Sequence, residues 1–395
     1  MFSGNKLGNN WITSSFVYLF LVAVLGVVMR SNIFVALPIS YPNILHAHSH
    51  TALLGWAFVM SIGGILSYFK LNIQQFKKEI IALSISIVGM FIAFLYQSYG
   101  VISIAFSTIF VLSSYIILFK IYRKIHADTL TSKLFQWAII WFFISTLGIW
   151  CIGPTSAILG KTHDLYNLSI QFFLHFQING WLIFIALALL FKKMPQIKPK
   201  LFIFGLNFSL ILTFALNIYW VDSNLIFYIL NTIGLLIQFI VYISIAYYLF
   251  QAKKFQMQNY CVRSSYYFII LMFLLKPSIQ LITLFPTWAV NLEYNRFLII
   301  AFLHLILIGL VSFTFIYNSI QEKYLYNNSV TKIGMALWMI GFVITEIIIA
   351  LQGFGISDYS FYGILLGFSV IMLVGIGLLL YQRLSSVSSF KLSKI

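Results

Sequence analysis

The sequence predicts an all-α polytopic membrane protein of about twelve transmembrane helices. Three observations carry this. Hydrophobic residues make up 61% of the chain and charged residues 8%, against about half and about a quarter in soluble domains. The mean hydropathy is +0.98. The apolar residues fall in runs that approach or exceed the roughly 20 residues a helix needs to cross hydrocarbon, without the alternation of a barrel strand. At roughly 30–35 residues per helix and connection, the 395 residues leave no room for a large soluble domain. The whole chain, 1–395, therefore reads as one integral membrane domain embedded in the lipid bilayer.

The apolar runs fall at 12–36, 46–69, 79–98, 100–121, 134–158, 165–191, 201–220, 225–250, 264–286, 295–317, 331–352 and 360–381. The first has no small-residue cleavage site behind it and reads as a retained helix. Only Tyr99 and Gly100 mark the break between the third and fourth. Pro154 is expected to end or kink the fifth. Gly63-Gly64 in the second helix, and Gly363, Gly367 and Gly375 in the twelfth, are expected to permit close helix packing. Lys276 in the ninth and Glu346 in the eleventh put charges inside the membrane. An unpaired charge there is costly, so a Lys276–Glu346 pair is one expectation.

The basic residues test the helix count. With twelve spans, the even-numbered helix ends and both termini share one side. That side carries all but four of the 24 lysines and arginines, the exceptions being Arg30, Lys161, Lys276 and Arg296. The positive-inside rule makes it the cytoplasmic side, in a multi-pass protein of a bacterial-type inner membrane. The net charge of +16 then reflects topology and does not imply a nucleic-acid partner. Cys151 falls in a span and Cys261 in a basic loop on the other side, so no disulfide joins them. The chain has no phosphate loop, nucleophile–base pair, CxxC or c-type haem motif.

The seven histidines carry the chemistry. His126 sits in a basic loop and reads as solvated. His163 precedes the sixth helix. The triplet His46, His48 and His50 opens the second helix, His175 lies inside the sixth and His304 inside the tenth. A pattern His-x4-Gly recurs at His50…Gly55, His175…Gly180 and His304…Gly309, with Trp56 and Trp181 following two of the glycines. The spacings are 125 and 129 residues, four helices each. This fits three arcs of four helices, with repeats near 1–125, 126–255 and 256–395. His175 and His304 lie roughly 13–15 Å along their helices at about 1.5 Å per residue. Imidazole inside hydrocarbon needs a partner and marks a functional site by default. Neutral imidazole is the commonest protein ligand for transition metals and also binds haem iron. On a helix, His46 and His50 share a face and His48 points away from it, so one helix could serve two centres.

These residues resemble the catalytic subunit I of the haem-copper oxidase and nitric oxide reductase superfamily. His48-Ser49-His50-Thr51-Ala52-Leu53-Leu54-Gly55-Trp56 looks like the His-x-His…Leu-Gly-Trp run of the cbb3-type oxidases, which lies there on helix 10. The resemblance covers the helix count and about twenty positions. It implies twelve helices in three pseudo-symmetric arcs and cofactors in the outer half. It also implies a bis-His haem b, held by His50 or His48 from helix 2 and His304 from helix 10. His175 matches a copper-ligand position, and His46 is a spare imidazole for copper or another metal. Lys276 or Arg296 would neutralise haem propionates, and Glu346 is a candidate proton-relay carboxylate. Electrons would come from quinol or from a separate cytochrome donor subunit. The seventh helix carries no histidine, the tenth carries one, and Asn179 stands where many oxidases have a cross-linked tyrosine.

The implied function is electron transfer, or oxidoreductase handling of dioxygen or nitric oxide. The alternative from another class is a multi-pass transporter of a small solute or metal ion using the outer-half histidines.

Overall fold

The computed structural model describes residues 5–126, 128–192, 199–251 and 260–392. Lys193, Lys198, Lys253, Lys254 and Lys394, which enter the charge alternation, lie outside the described residues. The fold is all-helical, with no strand among the described residues, and twelve helices are long and apolar enough to cross a membrane. They are α1 (Lys6–Ser31), α2 (Tyr41–Tyr68), α3 (Ile73–Gln97), α4 (Val101–Tyr122), α5 (Leu130–Ile158) and α6 (Asp164–Phe191). They continue with α7 (Leu201–Tyr219), α8 (Leu225–Gln251), α9 (Val262–Leu284), α10 (Arg296–Gln321), α11 (Ser329–Gly353) and α12 (Ser360–Val387). The chain is a multi-pass membrane protein in contact with lipid.

Two compact units form. One contains Met1–Arg123 and Asn318–Ile395, the other Lys124–Tyr317. In the first unit α1 packs on α2 and α12, α3 on α4, and α11 on α12. In the second, α5 packs on α6, α8 on α7 and α9, and α9 on α10. The most buried spans are α2, α6 and α10, at 72%, 78% and 56%, against 28–44% for the other nine described spans. These are the three helices that carry the recurring histidine.

Local chemistry explains where helices start and stop. Pro42 in the first turn of α2 supplies a fixed φ where its missing N–H is harmless. That span begins five residues before the apolar run suggests, because Tyr41, Pro42 and Asn43 open the helix with little apolar signal. Between α3 and α4 the chain reverses at Ser98, whose φ is +53°, and Gly100, whose extended backbone caps α4. Pro154 does not end α5, which continues to Ile158. Cys151 is an exposed free thiol, and His126 is exposed.

The glycine expectations divide. A Cβ at Gly63 would lie 2.6 Å from Ile12, so α2 does approach α1 closely there. A Cβ at Gly375 would lie 2.6 Å from the Gly334 carbonyl and 2.7 Å from the Trp338 nitrogen. Those contacts join α12 to α11 backbone to backbone. Gly363 and Gly367 meet nothing within 4 Å, so this GxxxG pair does not pack helices within the chain. Gly375→Val is expected to destabilise by about 1–3 kcal/mol through overpacking. Gly363→Ala should stay within about 0.5 kcal/mol of the parent, as surface changes do. Unfolding of both variants in detergent checks the contrast.

A polar clasp closes one end of the first unit. Arg383, 2% exposed, donates to Thr13 Oγ1 at 3.1 Å, the Tyr324 carbonyl at 3.1 Å, and the carbonyl and Oδ1 of Asn9 at 3.0 and 2.9 Å. Nearby, Ser67 donates to Glu322 at 3.0 Å, and Asn328 to Gln382 at 2.8 Å. Burial pushes the Tyr324 phenol up to about 12, so this ring is neutral at physiological pH.

Candidate functional site

Within the first unit, α2 places the histidine triplet on two faces. His46 and His50 turn toward α3 and the break that follows it. The His50 ring lies 4.2 Å from Phe94 and 5.6 Å from Tyr99, centroid to centroid. His46 packs its edge on Tyr99 at 4.5 Å and stands 6.4 Å from His50. His48 turns to α1, where its Nδ1 lies 2.9 Å from the Val22 carbonyl. Gly26, one turn further along α1, faces the same ring, and a Cβ there would stand 3.5 Å from His48, in ordinary contact.

The hydrogen bonds fix the tautomers. A carbonyl oxygen can only accept, so the ring nitrogen facing it carries the proton. His50 Nδ1 donates to the carbonyl of His46 at 2.9 Å, which leaves the lone pair on Nε2. That nitrogen faces the Tyr99 hydroxyl at 3.3 Å. His48 likewise donates from Nδ1 and holds its lone pair on Nε2. His175 is the reverse. Its Nε2 donates to the Leu210 carbonyl at 2.9 Å, so its lone pair is on Nδ1.

The residue before a metal-binding nitrogen matters less than the group behind it. A ligating histidine ordinarily donates its other N–H to a carbonyl or carboxylate, which sets the ring and raises its basicity. His50 and His48 both have this support behind Nε2. Copper or another metal at His175 would have to use Nδ1. Among the described residues, no group of three or more His, Cys, Asp or Glu stands where it could hold a metal ion.

The backbone adds a feature the sequence hides. Three segments of the described chain are π-helical: Thr51–Ala57, Phe176–Leu182 and Leu305–Ser312. Each begins immediately after a recurring histidine, His50, His175 or His304. From the observed starts of α2, α6 and α10, these lie about nine, eleven and eight residues into their spans, or roughly 12–16 Å. A π-turn is rare and concentrates at functional positions.

The surroundings repeat as well. In α2 a Cβ at Gly55 would stand 3.1 Å from Tyr18 of α1, and Trp56 meets Phe16 edge-on at 5.6 Å. In α6 a Cβ at Gly180 would stand 2.7 Å from Trp141 of α5, and Trp181 meets Phe142 edge-on at 5.3 Å. The third π segment packs on α9. Each glycine in the first two copies thus lets the widened turn close against an aromatic ring of the preceding span.

The charged candidates have particular partners. Lys276, fully buried at 0% exposure, donates to Gln238 at 3.2 Å and Gln280 at 2.9 Å, with its ammonium 5.0 Å from the centre of the Tyr242 ring. Within its own unit its partners are these neutral amides and the Tyr242 ring. The Arg30 guanidinium donates to the Leu365 carbonyl at 3.2 Å and to the Ser369 hydroxyl. Arg296 is exposed at the start of α10. His163 caps α6, accepting the Leu165 N–H at 3.2 Å.

Around His175, three polar atoms lack hydrogen-bond partners among the described residues: Gln171 Oε1, Gln177 Nε2 and Asn179 Oδ1. Gln177 is 1% exposed. Sequence reasoning missed Tyr99 as a partner of His50. Tyr99 was visible only as a helix break. No protein-family model matches the chain and no curated protein sequence matches it, so function rests on the residues of the site itself.

Proposed function

We propose that this chain is a haem b-binding protein of an inner membrane, similar to subunit I of the haem-copper oxidase and nitric oxide reductase superfamily. Its role is electron transfer, or the handling of dioxygen or nitric oxide. The observation that carries the reading is the π-turn directly after each of His50, His175 and His304, in the three most buried spans. Cofactor sites in helical bundles are built from core-facing side chains of this kind. A bound haem would supply one-electron redox chemistry.

The chain's own residues do the holding. The His46 carbonyl keeps the proton on His50 Nδ1, so Nε2, which faces the Tyr99 hydroxyl, would be the atom that holds iron. Phe94 and Tyr99 restrict the ring's rotation. His48 on α2, and His304 at the corresponding π-turn of α10, would be the further candidates to hold the group. Copper is left out of the proposal for want of a ligand group. Electrons would arrive from quinol or a separate cytochrome. The distribution of basic residues supports cytoplasmic termini.

The test is the reduced-minus-oxidised visible spectrum of the full chain purified from haem-replete cells, with pyridine haemochrome analysis. A low-spin b-type band with stoichiometric haem is expected. A folded, colourless protein overturns the reading.

A second reading, transport of a small solute or metal ion, draws on the second unit. That unit holds a buried lysine without a counter-ion among the described residues, and three orphaned polar atoms within four residues of His175 in α6, the kind of interior polar group that marks intramembrane pathways. The colourless outcome would favour it.

A further inference from the structure

We infer that the groove between α5 and α7 is a binding site for one acyl chain of an anionic phospholipid, with Lys133 holding the headgroup phosphate. The groove has a volume of about 500 Å³. Its apolar wall is formed by Phe204, Phe208 and Ile211 on α7, which are 63%, 39% and 53% exposed. Phe204 and Phe208 stack at 5.4 Å with their planes 14° apart, giving a continuous aromatic face. Asn207 floors the groove. Its Oδ1 accepts from Trp141 at 2.7 Å, and its Nδ2 donates to the Ile203 carbonyl at 2.7 Å. The floor thus presents no unmet polar group to an incoming chain.

The mouth has the opposite character. Lys133 lies in the first turn of α5, and Trp137 lies one turn deeper. The Lys133 ammonium has no hydrogen bond or ion pair with any described residue. Both α5 and α7 begin at this end, with helix starts at Leu130 and Pro199, so the positive ends of two helix dipoles add to the lysine. Trp and Lys at this depth are the residues that meet a headgroup region. A free anion would satisfy the charge but leave the aromatic wall uncovered. A zwitterionic lipid would cover the wall but gain less at the mouth. An anionic phospholipid does both, and the site needs no haem.

The experiment uses the full chain reconstituted with phosphatidylglycerol or phosphatidylcholine carrying brominated acyl chains. The fluorescence quenched at Trp137 is isolated as the difference between the parent and Trp137→Phe. Phosphatidylglycerol is expected to win over phosphatidylcholine by about fivefold, the factor that a lysine's worth of roughly 1 kcal/mol at an anionic surface corresponds to. Lys133→Gln should remove that preference while leaving quenching by phosphatidylcholine unchanged. Lys332→Gln, a basic residue at the start of another span, should leave the preference intact. Equal quenching by the two lipids in the parent, or a preference that survives in Lys133→Gln, overturns the proposal.

Discussion

Replacing His50 with alanine is expected to abolish the low-spin haem spectrum while leaving the protein folded. His50 is the helix 2 histidine that stands at the π-turn, as His175 and His304 do in their spans. Its proton is committed to the His46 carbonyl at 2.9 Å, so Nε2 would be the ligand atom. The neighbouring variant separates this role from mere proximity. His46→Ala removes a ring that packs on Tyr99 but keeps the backbone carbonyl that anchors His50, so the spectrum should persist. Tyr99→Phe removes the hydroxyl that faces Nε2 at 3.3 Å and competes for its lone pair, so haem should be retained or bound more tightly. His50→Gly leaves a cavity, and imidazole added to the buffer should restore the band. If His50→Ala keeps full haem while His48→Ala loses it, the ligand is His48, whose Nδ1 is anchored on Val22 in the same way. Loss of haem in His304→Ala alone would place neither helix 2 residue on iron.

The twelve spans were legible because a membrane imposes one simple demand: every backbone polar group must be satisfied within the helix, under an apolar surface. Hydropathy reads that directly. It failed at the start of α2, where Tyr41, Pro42 and Asn43 give little apolar signal over helix that is nevertheless regular. The recurrence of His-x4-Gly was also legible. The π-turns were not, because Leu, Ile, Gly and Trp in these runs serve an α-turn and a π-turn equally well. What tips the balance is packing of Gly55 and Gly180 against rings contributed by the preceding spans. Small-residue spacing misled at Gly363 and Gly367, since a GxxxG pair specifies a face and not what lies opposite it. The partners of Lys276 were hidden for a related reason. Gln238 and Gln280 are unremarkable in sequence, and only the approach of α8 to α9 brings the first of them to the ammonium. Tyr99 reached His50 through the tight reversal at Ser98 and Gly100, a feature of tertiary geometry.

Arg383→Ala is expected to produce the largest loss of stability of any single substitution in the first unit, about 3–5 kcal/mol, the range for breaking a buried charged network by removing one partner. The side chain is 2% exposed and makes four hydrogen bonds to α1 and to the loop between α10 and α11. It also lies 5.6 Å from the centre of the Tyr324 ring. Each bond from a charged donor contributes about 1.5–3 kcal/mol, but the four share one group and do not add. Alanine would leave the carbonyls of Asn9 and Tyr324 without this donor and open a cavity the size of a guanidinium stem. Arg383→Lys keeps the charge but reaches fewer of these acceptors, because an ammonium lacks the planar fork that spans Asn9 and Tyr324. Its cost should fall between those of the parent and alanine. Unfolding in detergent, followed by far-ultraviolet circular dichroism, ranks the three proteins. If Arg383→Ala unfolds within error of the parent, the clasp contributes nothing, and α1, α12 and the α10–α11 loop are held together by apolar packing alone.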